Sequence, residues 1–161
     1  MERPISRRAW LTALASGTGV LAAACASGAT TTEIDTPEGK VLQWQGDDLL
    51  VLVSGVQPRY RIGETIRANL LVNNQSTRVA QVRLRTQLLG RGDQVVDQAE
   101  VAILNVGPED AASTRRELPL GTNLPPGDYT FAVELPPWKL DGRETGQGAS
   151  IRTPVRIDPR S

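Results

Sequence analysis

An all-β sandwich of seven strands, preceded by an apolar N-terminal segment and a flexible linker, is the fold that three features of this sequence predict. From residue 48 onward, short runs rich in Val, Leu, Ile and Thr are separated by Gly, Pro, Asn and Asp every 8 to 16 residues or so, the rhythm of strands and turns in a two-sheet domain. No apolar period of the helical kind persists after residue 25. The 11 prolines and 15 glycines interrupt the chain too often for long helices.

The expected strands are A at 49–56, B at 64–73, C at 79–89, D at 94–104, E at 112–118, F at 128–135 and G at 150–157. Side chains alternate between the two faces of a strand, so each run assigns its own inward residues. These are Ile66, Ala68, Leu70 and Val72 on B, and Val82, Leu84 and Leu88 on C. F contributes Tyr129, Phe131, Val133 and Leu135, and G contributes Ile151, Val155 and Ile157. Strand E alternates badly, which leaves its register open. Pro154 has no N–H to give a ladder, so strand G is expected at a sheet edge. With seven strands running up and down, the connections 73–78, 105–110 and 136–148 gather at the end where strand A begins.

Residues 1–24 read as a signal peptide: Arg3, Arg7 and Arg8 charge its start, an apolar run of 16 residues spans 9–24, and small residues close it before Cys25. That run is shorter than the roughly 20 residues a bilayer core requires, so cleavage is expected. Residues 25–46 are small and polar, which predicts a flexible tether, and residues 47–158 form the folded domain.

Ala22-Ala23-Ala24-Cys25 resembles the lipobox of bacterial lipoproteins, with Leu21 one place early. The resemblance implies acylation of the Cys25 thiol, cleavage before it and anchoring to a membrane through the lipid. Because Ala26 rather than Asp follows, it implies the outer membrane in a cell that has one. Ser6-Arg7-Arg8-Ala9-Trp10-Leu11 is similar to the twin-arginine export signal, with Trp10 where Phe is usual. Both resemblances concern address, not activity.

Removing residues 1–24 takes three arginines and one glutamate from a chain with 18 basic and 18 acidic residues, leaving 15 and 17 and a net charge of −2. No nucleic-acid partner is expected from that balance. Cys25 is the only cysteine, so stability rests on a hydrophobic core without a disulfide. The chain has no histidine. Triads that need an imidazole are therefore excluded, and with them the commonest transition-metal ligand. The expectation is a non-enzymatic protein without metal or cofactor.

The body of the chain resembles bacterial immunoglobulin-like domains. The likeness is carried by Tyr60-Arg61-Ile62-Gly63-Glu64-Thr65-Ile66 entering strand B, Val72-Asn73-Asn74-Gln75-Ser76 leaving it, and Leu124-Pro125-Pro126-Gly127-Asp128-Tyr129 entering strand F. It implies a tyrosine corner at Tyr129, whose hydroxyl bonds back to the E to F turn. The B to C and E to F pattern is also similar to the family of the Bacillus intracellular proteinase inhibitor.

Two candidate sites follow. The F to G connection of 13 residues, 136–148, far exceeds the usual hairpin loop and carries Trp138, Lys139 and Arg143. Trp138 either belongs to a binding loop or folds back as a lid on the open end of the core. The outward positions Arg83, Arg85, Arg152 and Arg156 of strands C and G flank the outward Glu134 of F. Such a face either receives an acidic partner or is a solvated surface pinned by cross-strand Arg and Glu pairs, the plainer of the two.

Three further motifs have ordinary readings. Arg91-Gly92-Asp93 is expected to be a hairpin turn, and Asn74-Gln75-Ser76 is expected to be a turn rather than a glycosylation acceptor. Asp47, Asp48, Glu109, Asp110, Asp141 and Glu144 lack cation-loop spacing. The function expected is therefore a lipid-anchored binding or structural module of the cell envelope, with an unidentified envelope protein or glycan as partner. The alternative is a protease inhibitor or modulator acting through the loop around Trp138.

Overall fold

Residues 23–24 and 30–161 are described by a computed structural model; residues 1–22 and 25–29 lie outside the described residues, and with them the twin-arginine motif and the acylation position Cys25. Among the described residues there are fourteen strands. They are β1 (Ala23–Ala24), β2 (Thr30–Thr36), β3 (Gly39–Gln45), β4 (Leu49–Ser54), β5 (Arg59–Arg61), β6 (Thr65–Asn74) and β7 (Ala80–Leu89). There follow β8 (Val95–Gln98), β9 (Ala102–Val106), β10 (Ala111–Pro119), β11 (Gly127–Leu135), β12 (Trp138–Leu140), β13 (Arg143–Thr145) and β14 (Ala149–Asp158). One sheet is ordered β1-β2-β3-β4-β6-β10 and the other β13-β12-β7-β11-β14-β5, with β8 and β9 also pairing β7. All pairings are antiparallel except that of β5 with β14. The fold is a two-layer β-sandwich.

Alternation places the core between the layers. Every inward residue expected on strands B, C, F and G is buried except Tyr129, which is half-buried. The Tyr129 hydroxyl donates to the Pro125 carbonyl at 2.6 Å, the bond of a tyrosine corner. Leu49, Val51 and Val53 of β4 and Leu118 of β10 complete the contact between layers, which fixes the register of strand E that alternation leaves open. Pro154 sits where its missing N–H does no harm. β5 pairs only Arg156 to Asp158 of β14, and the Arg156 N–H points to that side, donating to the Pro58 carbonyl at 2.9 Å. Two residues earlier on the same strand, Pro154 turns its nitrogen to the same, open side.

The tether expected over 25–46 is corrected over 30–45 by the hairpin β2 to β3, which adds two strands to the first sheet through seven paired positions with each other and four with β4; residues 25–29 lie outside the described residues. Leu42 and Trp44 of β3 are buried in the core. Two apolar residues spaced by two dock a strand whose other positions, Val41 and Gly39 apart, are polar, because only its inward face has to be apolar. Gly39, at φ 118°, closes the turn in a backbone conformation that favours glycine.

Strand D also departs from expectation. It is interrupted into β8 and β9, and the chain between them stays on β7 through the Ala99 N–H to Thr86 carbonyl bond at 2.9 Å. Gln98 opposes Gln87 while Ala102 opposes Leu84. The edge strand thus carries one residue more than its partner, a β-bulge, and a second register shift lies at Leu88/Leu89.

Candidate functional site

The connections 73–78, 105–110 and 136–148 meet at one end, where Asn74 ties the first two together. Its side chain is fully buried. The Asn74 Nδ2 donates to the carbonyls of Arg78 at 2.6 Å, Gly107 at 3.0 Å and Val106 at 3.1 Å. Its Oδ1 accepts from the Ser76 N–H at 3.0 Å and the Ser76 Oγ at 2.7 Å. An amide so enclosed is a turn-building side chain, not an acceptor for sugar. Nearby, the Asp141 N–H donates to the Val79 carbonyl at 2.9 Å and Asp141 Oδ1 accepts from the Val79 N–H at 3.1 Å. The Gln75 N–H donates to the Asp48 carbonyl at 2.8 Å, so strand A begins at this end too.

Segment 136–148 is not an open loop. β12 and β13 form a hairpin across Asp141 and Gly142, at φ 48° and 77°, the left-handed pair that a tight two-residue turn requires. β12 also adds to β7 through Lys139 opposite Gln81 and Leu140 opposite Ala80. Trp138 is 5% exposed and meets Trp44 edge to face, with ring centroids 5.7 Å apart at 77°. Backbone lies on both rings. A Cβ at Gly146 would fall 2.4 Å from the Trp138 ring, and one at Gly46 would fall 2.5 Å from the Trp44 ring. Trp138 is thus the lid on the core, and the binding-loop reading is corrected: its indole has no free face to offer. Lys139 and Arg143 remain exposed on the hairpin.

The arginine face divides in two. Arg152 pairs with Asp93 at 3.0 Å and Glu134 at 3.6 Å, and Arg156 pairs with Asp128 at 2.9 Å and Asp158 at 3.7 Å. The Asp128 hydrogen bond, then its charge, raise the Arg156 pKa. Arg83 and Arg85 of β7 are exposed and make no ion pair among the described residues. Arg83 stands directly opposite Ile103 of β9, which is 55% exposed beside the exposed Val101. Arg91-Gly92-Asp93 forms a 3-10 turn with Gly92 and Asp93 in the left-handed region, and Asp93 is spent on Arg152. The exposed Asp47, Glu109, Asp141 and Glu144 form no metal-holding group among the described residues.

Two features escape a reading of periodicity alone. One is the β2 to β3 hairpin, whose signal is Pro37-Glu38-Gly39 between two alternating runs. The other is the buried Tyr60 on β5, whose hydroxyl accepts from the Gln57 N–H at 2.7 Å. Burial, partly offset by that bond, raises its pKa.

The chain matches no family model. No curated protein matches it either. Among solved structures it is similar to the β-glucosidase from Listeria innocua in complex with isofagomine, with a TM-score of 0.52 at 12% identity. The same enzyme in complex with glucose gives 0.51 at 12%, and its D270A mutant with laminaribiose gives 0.51 at 11%. These matches cover 68%, 68% and 69% of this chain but 16% of the enzyme each time. The likeness is one of fold, to a sixth of a much larger chain.

Proposed function

We propose that this chain is an exported, lipid-anchored, non-enzymatic module of the bacterial cell envelope that binds or organises other envelope components. The observation that carries the reading is where Cys25 falls. It closes an apolar export segment at Ala22-Ala23-Ala24-Cys25, and the first strand of the sandwich proper begins five residues later at Thr30. Five residues reach about 18 Å at full extension, so a lipid on Cys25 holds the domain against the membrane by the end where its connections meet. The export route is the twin-arginine one, and the destination is the outer membrane in a cell that has one.

The fold supports the reading in a second way. A two-sheet sandwich is a rigid scaffold, and an uncovered strand edge on it is a means of contact. Trp138 is withdrawn into the core, so the exposed surface best suited to a partner is the one around Arg83 and Arg85. Mass spectrometry of the mature N-terminus tests the proposal. The expected species begins at an acylated Cys25, and Cys25→Ser releases the protein from membranes. A mature chain beginning at Ser27, or an unmodified Cys25, overturns it.

A further inference from the structure

The two flanks of the sandwich end in complementary strand edges. On one flank β2 pairs β3, and beyond it, among the described residues, only Ala23–Ala24 at Thr30 and Thr31; cleavage before Cys25 removes even that. On the other flank β9 pairs β7, and no strand covers its far side among the described residues. β2 carries Glu33 and Asp35 two residues apart, against the single Lys40 of its own hairpin, which pairs with Glu33. Beside β9 lies Arg83, opposite Ile103, and two residues further along β7 lies Arg85, opposite Glu134 of β11; neither has an ion pair among the described residues, and the exposed aliphatics Val101 and Ile103 border the edge. An open edge of backbone donors and acceptors bordered by apolar and charged side chains is a template for an added strand.

We propose that β2 of one copy of this chain adds to β9 of the next, joining copies head to tail in rows on the membrane surface. The inference rests on the anchored reading above for its orientation. Direction is the first support. Thr30 opposes Gln45, whose amide donates to Gln75 at 2.6 Å, and Val106 is held to Asn74, so Thr30 and Val106 lie at the same end. β2 therefore runs away from the lipid and β9 runs toward it. Two copies standing upright on one membrane present these edges antiparallel.

Face is the second support. Glu33 opposes the inward Leu42 and Asp35 opposes Lys40, so both acids lie on the side of the first sheet that faces the second. β9 packs across from β10, and β14 across from β3, which puts β2 and β9 on opposite flanks. When a neighbour is placed by simple translation, the first sheet of one copy continues into the second sheet of the next. The face bearing Glu33 and Asp35 then coincides with the outer face bearing Ile103, Arg83 and Arg85. One strand separates acids from arginines, about 10 Å, which Arg and Glu side chains bridge between them. A translation of this kind does not close, so it builds rows rather than dimers.

The test is disulfide capture between copies of the mature acylated protein on phosphatidylcholine vesicles. Copies bearing Asp35→Cys are mixed with copies bearing Val101→Cys, and Arg91→Cys serves as the remote control. The expected product is the 35 to 101 heterodimer, with a ladder when both cysteines are in one chain. Arg83→Glu with Arg85→Glu in the Val101→Cys copy should cut its yield about tenfold, the effect of some 1.4 kcal/mol, and adding Glu33→Lys to the Asp35→Cys copy should restore it. Arg152→Gln with Arg156→Gln should leave it unchanged, and circular dichroism checks that each variant is folded.

Equal capture at Arg91, a dominant 35 to 35 product, a ladder indifferent to charge reversal, or no ladder overturns the proposal. So does binding of the same arginines to phosphatidylglycerol vesicles without a ladder, which would assign them to lipid. If the N-terminus proves unacylated, the same capture is run in concentrated solution, so that failure of the anchor and failure of the edge contact are read separately.

Discussion

Truncating Trp138 to Ala separates a core lid from a binding loop. Removing a large buried aromatic costs about 3–5 kcal/mol through lost burial and the cavity left behind. The edge-to-face contact with Trp44, at 5.7 Å and 77°, contributes about 0.5–1.5 kcal/mol beyond burial. Against this, the Trp138 Nε1 is buried without a hydrogen-bond partner among the described residues, and removing an orphan donor returns about 1–3 kcal/mol. The expected net loss is about 3 kcal/mol, a large part of the 5–15 kcal/mol typical of a domain. Equilibrium unfolding in urea measures it as a shift of midpoint at unchanged slope. In the mature chain Trp44 becomes the only tryptophan, so its fluorescence follows the transition directly. Trp138→Phe keeps a ring and removes the orphan donor, and should cost less than the alanine variant. A double-mutant cycle with Trp44→Ala isolates the ring contact. A loss below about 1 kcal/mol for Trp138→Ala, with partner binding abolished, would refute the lid and restore the loop as a contact surface.

Asn74→Ala leaves the carbonyls of Val106 and Gly107 without their donor and should cost about 2–4 kcal/mol, since each buried group left unpaired costs about 1–3; urea unfolding checks it. Phe131→Ala should cost about 3–5 kcal/mol in the same assay, whereas Arg83→Ala should stay within about 0.5 because the side chain is exposed and unpaired. Tyr60 has a raised pKa in the folded state, so its contribution is complete below the ordinary tyrosine value of about 10 and is lost as pH rises through the folded value. Stability followed from pH 8 to 11 should fall more steeply in the native chain than in Tyr60→Phe, and parallel curves would remove Tyr60 as the cause.

What the sequence disclosed and what it hid divide along physical lines. Strands B, C, F and G were legible because each buries one face against the opposite layer, and a buried face writes its period into four or five successive alternate residues, as in Ile66, Ala68, Leu70 and Val72. β3 buries only Leu42 and Trp44, and β2 is polar except at Ile34, so the pair has the composition of a linker although it has the pairing of a sheet. Periodicity also records which face of a strand is inward, never which neighbour it takes. That β9 lies beside β7 and β2 beside β3 was set by chain connections and long-range packing, and these choices decide which edges stay open. The candidate site shows the same limit. Four arginines at outward positions are equivalent in sequence, yet Asp93, Glu134, Asp128 and Asp158 neutralise Arg152 and Arg156 only because the turn at 91–93 and strands β11 and β14 bring those carboxylates to them. Arg83 faces Ile103 and, beyond it, an uncovered strand edge instead, and Arg85 stands opposite Glu134 of β11 without closing an ion pair among the described residues. Their availability is a consequence of topology, and so is the direction in which β9 and β2 run relative to the lipid.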